Sequence, residues 1–281
     1  MIPLGIFSKT FARSTVEEVF REVASRKLPF IQFNFSSAGL PTLPDQIEPA
    51  AIDEIRRAME QYSIQIAAVS GTFNLIDPDF ELRDQNLRRL AVLAAACEAL
   101  AAPVITLCTG TRNRGDMWRG HPDNGTAAAW DEMVEGIRLA LWITEPFGIK
   151  LAVEPEPGNV MRDARKAREL LDEVGSSRLG IIFDAANILA GKPDSPQQDV
   201  LGEAFELLGN DIALAHGKEF VREESAARIP GEGDLDWDLY VRLLAKTSYK
   251  GPLILHGFAE DNADDAVAFA SDVLRRIDTR S

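Results

Sequence analysis

The sequence predicts an α/β fold of eight strand–helix units closed into a (β/α)8 barrel, and three observations carry that expectation. Apolar runs of four to six residues alternate with longer amphipathic stretches eight times along 281 residues, the pattern of a parallel sheet whose strands are joined by helices. The runs are continuously apolar rather than alternating, as strands covered on both faces must be. Glycines at 148, 175, 209 and 251 stand where helices give way to the next strand, which suits them to helix C-caps. An open doubly wound sheet is the rival architecture. It calls for a glycine-rich phosphate turn after the first strand, and Phe7-Ser8-Lys9-Thr10 supplies none. No linker, low-complexity tract or tandem repeat divides the chain, so residues 1–281 are read as one domain.

Strand one is expected at residues 4–7, followed by a helix whose opening Ser14-Thr15-Val16-Glu17 fits a capping box. Residues 30–33 and 47–62 make the second strand and helix. The third unit takes strand 64–69 and a helix from about 84 to 100, in which Leu87, Leu90, Ala94 and Cys97 fall three or four apart and share one buried face. Strand four, at 104–107, leads into a long polar segment and a helix over 126–145. Strand five (149–154) precedes a helix at 163–174, and strand six (179–184) precedes one at 197–208. Strand seven (212–216) runs into a long loop and a helix at 237–244, and strand eight (253–256) is closed by a helix at 264–277.

Composition narrows the partners. Hydrophobic residues make up 46% and charged residues 26% of the chain, as in ordinary globular proteins. With 44 acidic against 30 basic residues the net charge is −14, a surface that repels phosphate backbones and anionic lipid. Neither nucleic acid nor a membrane is therefore expected as a partner, whereas divalent cations suit such a chain. Cys97 and Cys108 belong to no Cys-x-x-Cys pair and form no disulfide framework, which points to a reducing compartment. The opening Met-Ile-Pro-Leu-Gly-Ile-Phe lacks a charged leader region, and no apolar run is long enough to span a bilayer. The cytoplasm is the expected location.

The chemistry is expected at the strands' carboxyl ends, where barrels of this kind place it. The run Leu151-Ala152-Val153 ends on Glu154, and Pro155 and Pro157 block any continuation of the ladder, leaving Glu154 and Glu156 at the rim. The later strand ends carry Asp184, His216 and His256. One strand-end histidine or aspartate is ordinarily structural. Four metal-competent side chains on four consecutive strand ends, which closure brings around one mouth, instead suggest a shared divalent ion: Mn²⁺, Co²⁺, Mg²⁺ or Zn²⁺.

These residues sit in motifs. They are Leu-Ala-Val-Glu154-Pro-Glu156-Pro-Gly-Asn, Phe-Asp184-Ala-Ala-Asn187, His216-Gly-Lys218-Glu219, Gly231-Glu-Gly233-Asp-Leu-Asp-Trp237 and Pro-Leu-Ile-Leu-His256-Gly-Phe. Together they resemble the xylose isomerase-like TIM barrels, the superfamily of sugar isomerases and epimerases, inosose dehydratases and AP endonucleases, over essentially the whole chain. The resemblance implies Glu154, Asp184 and His216 as metal ligands, and Asn187 and Lys218 as substrate contacts. The epimerases usually carry a second glutamate at the end of strand eight as fourth ligand and acid/base partner. His256 stands there instead, so a symmetrical two-glutamate proton shuttle does not carry over, although imidazole can ligate a metal or move a proton. In the long segment after strand four, Arg112, Trp118 and His121 read either as a solvated loop with an apolar anchor or as a lid over substrate.

The function expected is a divalent-metal isomerase or epimerase of a small sugar, keto-sugar or polyol derivative. Glu154 or His256 would take the proton beside a carbonyl, with Glu156 in reserve. A lyase of the inosose dehydratase type, an AP-endonuclease-like hydrolase and a sugar-binding barrel without turnover are the alternatives. Three histidines and an acidic surface disfavour the hydrolase. The number of subunits is left open by the sequence, a homo-oligomer included.

Overall fold

Eight parallel strands hydrogen-bond to one another in chain order and β1 pairs with β8, closing the barrel. The computed structural model describes residues 2–222 and 228–279. The first half runs β1 (Leu4–Phe7), α1 (Val16–Ser25), β2 (Phe30–Phe33), α2 (Pro49–Tyr62), β3 (Gln65–Ser70), α3 (Phe80–Ala99), β4 (Val104–Cys108) and α4 (Ala127–Thr144). The second half runs β5 (Lys150–Glu154), α5 (Ala164–Val174), β6 (Leu179–Asp184), α6 (Ala185–Ala190), α7 (Gln197–Leu208), β7 (Ile212–Gly217), α8 (Trp237–Ala245), β8 (Leu253–Leu255) and α9 (Ala263–Asp278).

Two apolar clusters account for the closure. A small one fills the barrel's interior, with Ala68, Val104, Ala152, Ile182, Leu214 and Ile254 among its members. A much larger one lies between strands and helices. Both faces of every strand are therefore covered, which is why the strands read as unbroken apolar runs. No helix among the described residues is long and apolar enough to cross a membrane. Both cysteines are buried and free.

Local details depart from the expectations in five places. The capping box at α1 is one residue later than expected: Thr15 Oγ1 accepts from Glu18 N, and Glu18 reaches back to Thr15 N. Helix α3 starts at Phe80 because Asp79 caps it, accepting from Leu82 N at 3.1 Å. Gly148 and Gly175 adopt the left-handed conformation of a C-cap, with φ of 64° and 61°, but Gly209 ends α7 at φ −57° and stays right-handed. Gly251 caps no helix, since α8 ends at Ala245 with Lys246 as its C-cap; a side chain at 251 would strike the Tyr249 ring. The short helix α6 was not expected. It starts because the Asp184 carboxylate accepts from Asn187 N at 3.1 Å.

Candidate active site

Seven polar residues at the strands' carboxyl ends each sit two positions beyond a member of the interior cluster or a residue packed against it. Side chains two apart share one face of a strand. Ala152 therefore delivers Glu154, Ile182 delivers Asp184, Leu214 delivers His216 and Ile254 delivers His256. The same rule brings in Gln32 above Phe30, Ser70 above Ala68 and Thr106 above Val104. Asp184 and His216 also pair in register across β6 and β7. The result is a polar layer lying on an apolar plug, below a cavity of about 440 Å³ whose wall includes Glu154, Glu156, His216 and His256. Grooves of about 530 and 580 Å³ lie among the outer helices and hold none of these residues.

Asp184 is the centre of the cluster. It is fully buried, and an unpartnered carboxylate there would be costly. Burial by itself raises its pKa, but the Lys218 ammonium at 3.5 Å and the His256 imidazole, whose Nε2 lies 3.2 Å away, outweigh it and hold the carboxyl well below the usual range. Asp184, His216 and His256 each present a ligand atom within 4.8 Å of the other two. Glu154 stands beside this trio, its Oε1 3.3 Å from His216 Nδ1. Burial, together with the neighbouring His216, pushes the His256 pKa down. Lys218 is also buried, which lowers its pKa, but the charges of Asp184, Glu154 and Glu156 prevail and raise it.

Asn187 bridges the carboxylates: its Nδ2 donates to Glu154 Oε1 at 2.9 Å and to Glu156 Oε1 at 2.8 Å, while its Oδ1 accepts from Lys218 Nζ. Burial and the adjacent Glu154 charge push the Glu156 carboxyl up to about 8, so in the metal-free site it holds its proton at neutral pH. Its pKa when unfolded is near 4.5; the folded state thus binds the extra proton, and stability falls as pH rises from about 4.5 to about 8. Glu156→Gln is expected to flatten that fall in chelator-treated protein. Thermal melts across the window check it, and equal slopes in the two proteins would contradict the assignment.

The segment after β4 is stitched to the Glu-Pro-Glu-Pro-Gly-Asn run. Asn159 accepts from Gly110 N at 2.8 Å and donates to Met117 O at 3.0 Å. Asn124 donates to Gly158 O at 2.9 Å. A Cβ on Gly158 would sit 2.1 Å from Trp118 O, so the two backbones can meet only at glycine. Held this way, Met117 and Trp118 line the cavity, and Trp118 is still 52% exposed. Gly158→Ala is expected to displace the Trp118 segment; an indole fluorescence spectrum identical to that of the native protein would refute the close contact.

Arg112 and His121 do not reach this cavity. The Arg112 guanidinium pairs with Glu132 on α4. His121 is spent as a cap, its Nδ1 accepting from Asp123 N at 3.2 Å at the start of a 3₁₀ turn. The lid reading set both over the substrate because they share a segment with Trp118; local partners hold them instead, as in the solvated-loop reading. Arg222, on the later loop, pairs with Asp234. Conversely, sequence reasoning passed over Gln32, Ser70 and Lys9, which all line the cavity. A signal for the first was present, since Gln32 is the polar residue in the apolar run Phe30–Phe33.

The sequence model of the xylose isomerase-like TIM barrel family matches residues 20–277. Inosose dehydratase of Clostridium perfringens is 20% identical over 156 residues, which covers 50% of this chain and 49% of that protein. The chain thus spans about half the length of the curated relatives it matches. Among solved structures, L-ribulose 3-epimerase superposes with a TM-score of 0.78 at 16% identity, covering 100% of this chain and 97% of that one. The IOLI protein with a bound zinc atom gives 0.75 at 16% identity, covering 99% of each chain. At these identities the likeness is one of fold.

Proposed function

Because the chain belongs to the xylose isomerase-like TIM barrel family, we propose that it is a divalent-metal-dependent isomerase or epimerase of a small sugar, keto-sugar or polyol derivative. The observation that carries this reading is the convergence of Asp184, His216 and His256, with ligand atoms within 4.8 Å of one another, beneath a sugar-sized cavity and beside two further carboxylates. Their donor chemistry fits a divalent cation: one carboxylate, two imidazoles and Glu154 next to them. Two imidazoles shift the preference from Mg²⁺ toward Zn²⁺ or a similar borderline ion. A bound ion would supply Lewis acidity toward a carbonyl and stabilise negative charge developing beside it.

The chain's own residues supply the rest. Asp184, His216 and His256 would hold the ion, and the Lys218 ammonium, 3.5 Å from Asp184, balances its charge. Glu154 and Glu156 form the proton pair, one oxygen of each held by the same Asn187 amide. Glu154 accepts the proton beside the carbonyl, and Glu156, held by the same amide, is placed to return one. This moves part of the proton role from His256, where the sequence suggested it, to Glu156. Trp118 offers an apolar face to the ring.

Glu156→Gln tests the assignment. Positioned acid–base groups contribute on the order of 10²–10⁴-fold, so turnover should drop by that order while metal content stays unchanged. Unaltered turnover across a panel of ketoses, aldoses and inososes would remove Glu156 from the mechanism. The partial similarity to inosose dehydratase supports a second reading, a lyase that uses the same proton abstraction and then expels water. Product analysis separates them, because an epimer keeps the substrate's mass and a dehydrated product loses water.

A further inference from the structure

We propose that Gln32 is the positioning residue that fixes which nitrogen of His216 faces the metal site, a role that rests on the metal reading above but can be measured without it. His216 Nε2 lies 2.8 Å from Gln32 Oε1, and its Nδ1 points the other way, 3.3 Å from Glu154 Oε1 and 3.8 Å from Asp184 Oδ2. An amide oxygen only accepts, so the contact requires the proton on Nε2. That leaves Nδ1 as the nitrogen whose lone pair can be given to a cation. The Gln32 amide is itself oriented, since its Nε2 donates to Ser70 Oγ at 3.2 Å. Both residues are largely buried although they line the cavity, Gln32 and Ser70 each 4% exposed.

The arrangement explains why a glutamine occupies an otherwise apolar strand. Gln32 sits above Phe30 on the interior face of β2, where its side chain bonds Ser70 on β3 and His216 on β7. An acceptor on the far nitrogen of a ligating imidazole fixes its tautomer and ring plane. Loss of such a partner typically costs about 10–100-fold in metal affinity.

The test combines calorimetry and nitrogen NMR on the full chain after chelator treatment. Zn²⁺ titration is expected to bind about 10–100-fold more weakly to Gln32→Leu than to the native protein. Gln32→Glu, whose carboxylate can accept from the same Nε2–H, should recover most of that loss. A role in packing alone would give the opposite order, because leucine is apolar and close in volume. Independently, the ¹⁵N shifts of His216 in the metal-free native protein, at a pH where the imidazole is neutral, should report the Nε2–H tautomer. The Nδ1–H tautomer, or native-like Zn²⁺ affinity in Gln32→Leu, overturns the proposal. Failure of the native protein to bind Zn²⁺ together with an Nε2–H signature would overturn the metal reading and leave the role of Gln32 standing.

Discussion

Asp184→Ala is expected to reduce bound divalent metal from stoichiometric to background. The carboxylate is the shared neighbour of both histidines: Nε2 of His256 is 3.2 Å from its Oδ2, and Nδ1 of His216 is 3.8 Å from it. Its removal takes the anionic donor from a trio that otherwise offers two neutral imidazoles, and it leaves the buried Lys218 ammonium, formerly 3.5 Å away, to repel an incoming cation. The same change strips one partner from a buried ion pair, which typically costs about 3–5 kcal/mol, and removes the cap of α6. Asp184→Asn separates the effects, since it retains the volume and one acceptor oxygen for the cap but loses the charge. Elemental analysis of both variants checks the expectation. Full occupancy in folded Asp184→Ala would contradict the ligand assignment.

Glu219→Ala is expected to destabilise the protein by about 3–5 kcal/mol, as removal of a buried, multiply bonded charged group does, without any contact between Glu219 and the cavity. Its carboxyl is completely buried and organises the connection from β7 to α8. Oε1 accepts from Phe220 N and Leu235 N, both at 3.0 Å, and Oε2 accepts from Gly231 N at 2.7 Å and Trp237 Nε1 at 2.9 Å. Truncation takes the acceptor from three buried donors, Phe220 N, Leu235 N and Trp237 Nε1, and from the part-buried Gly231 N; each buried unsatisfied group typically costs about 1–3 kcal/mol. The fit around it is close: a Cβ at Gly233 would lie 2.4 Å from Glu219 Cγ. For a chain of this size the loss corresponds to a Tm lower by roughly 10 °C. Glu219→Gln should recover part of it, because one oxygen still accepts. A thermal melt of Glu219→Ala within about 2 °C of the native protein would show that these four bonds stabilise little.

How much of this was legible in the chain depends on how locally each feature is encoded. The eight-unit barrel was, because continuous apolar strands and intervening amphipathic helices record burial directly, and the strand pairing follows chain order. The convergence of Asp184, His216 and His256 was legible for the same reason: closure of the barrel brings consecutive strand ends together. Arg112 and His121 were misplaced because a side chain's direction within an irregular segment depends on partners far away in sequence. Glu132 claims the first, and a turn of the backbone claims the second. Gln32 went unnoticed because its partner is 184 residues away, although its position two beyond Phe30 obeys the same period-two rule as Glu154 above Ala152. Applying that rule to the early strands as well as the late ones would have found Gln32, Ser70 and Thr106. The bridging role of Asn187 and the capping role of Asp184 belong to α6, a helix too short to leave a periodic signature.

One cation is proposed to be shared by side chains on β6, on β7 and just beyond β8. Anomalous diffraction from crystals grown with Zn²⁺ or Mn²⁺, recorded at the metal's absorption edge, tests it most directly. The expected result is a single strong peak bounded by Asp184 Oδ2, His216 Nδ1 and the His256 ring, with Glu154 beside it. A peak elsewhere on the protein, or no peak at the barrel's mouth at saturating metal, would contradict the account.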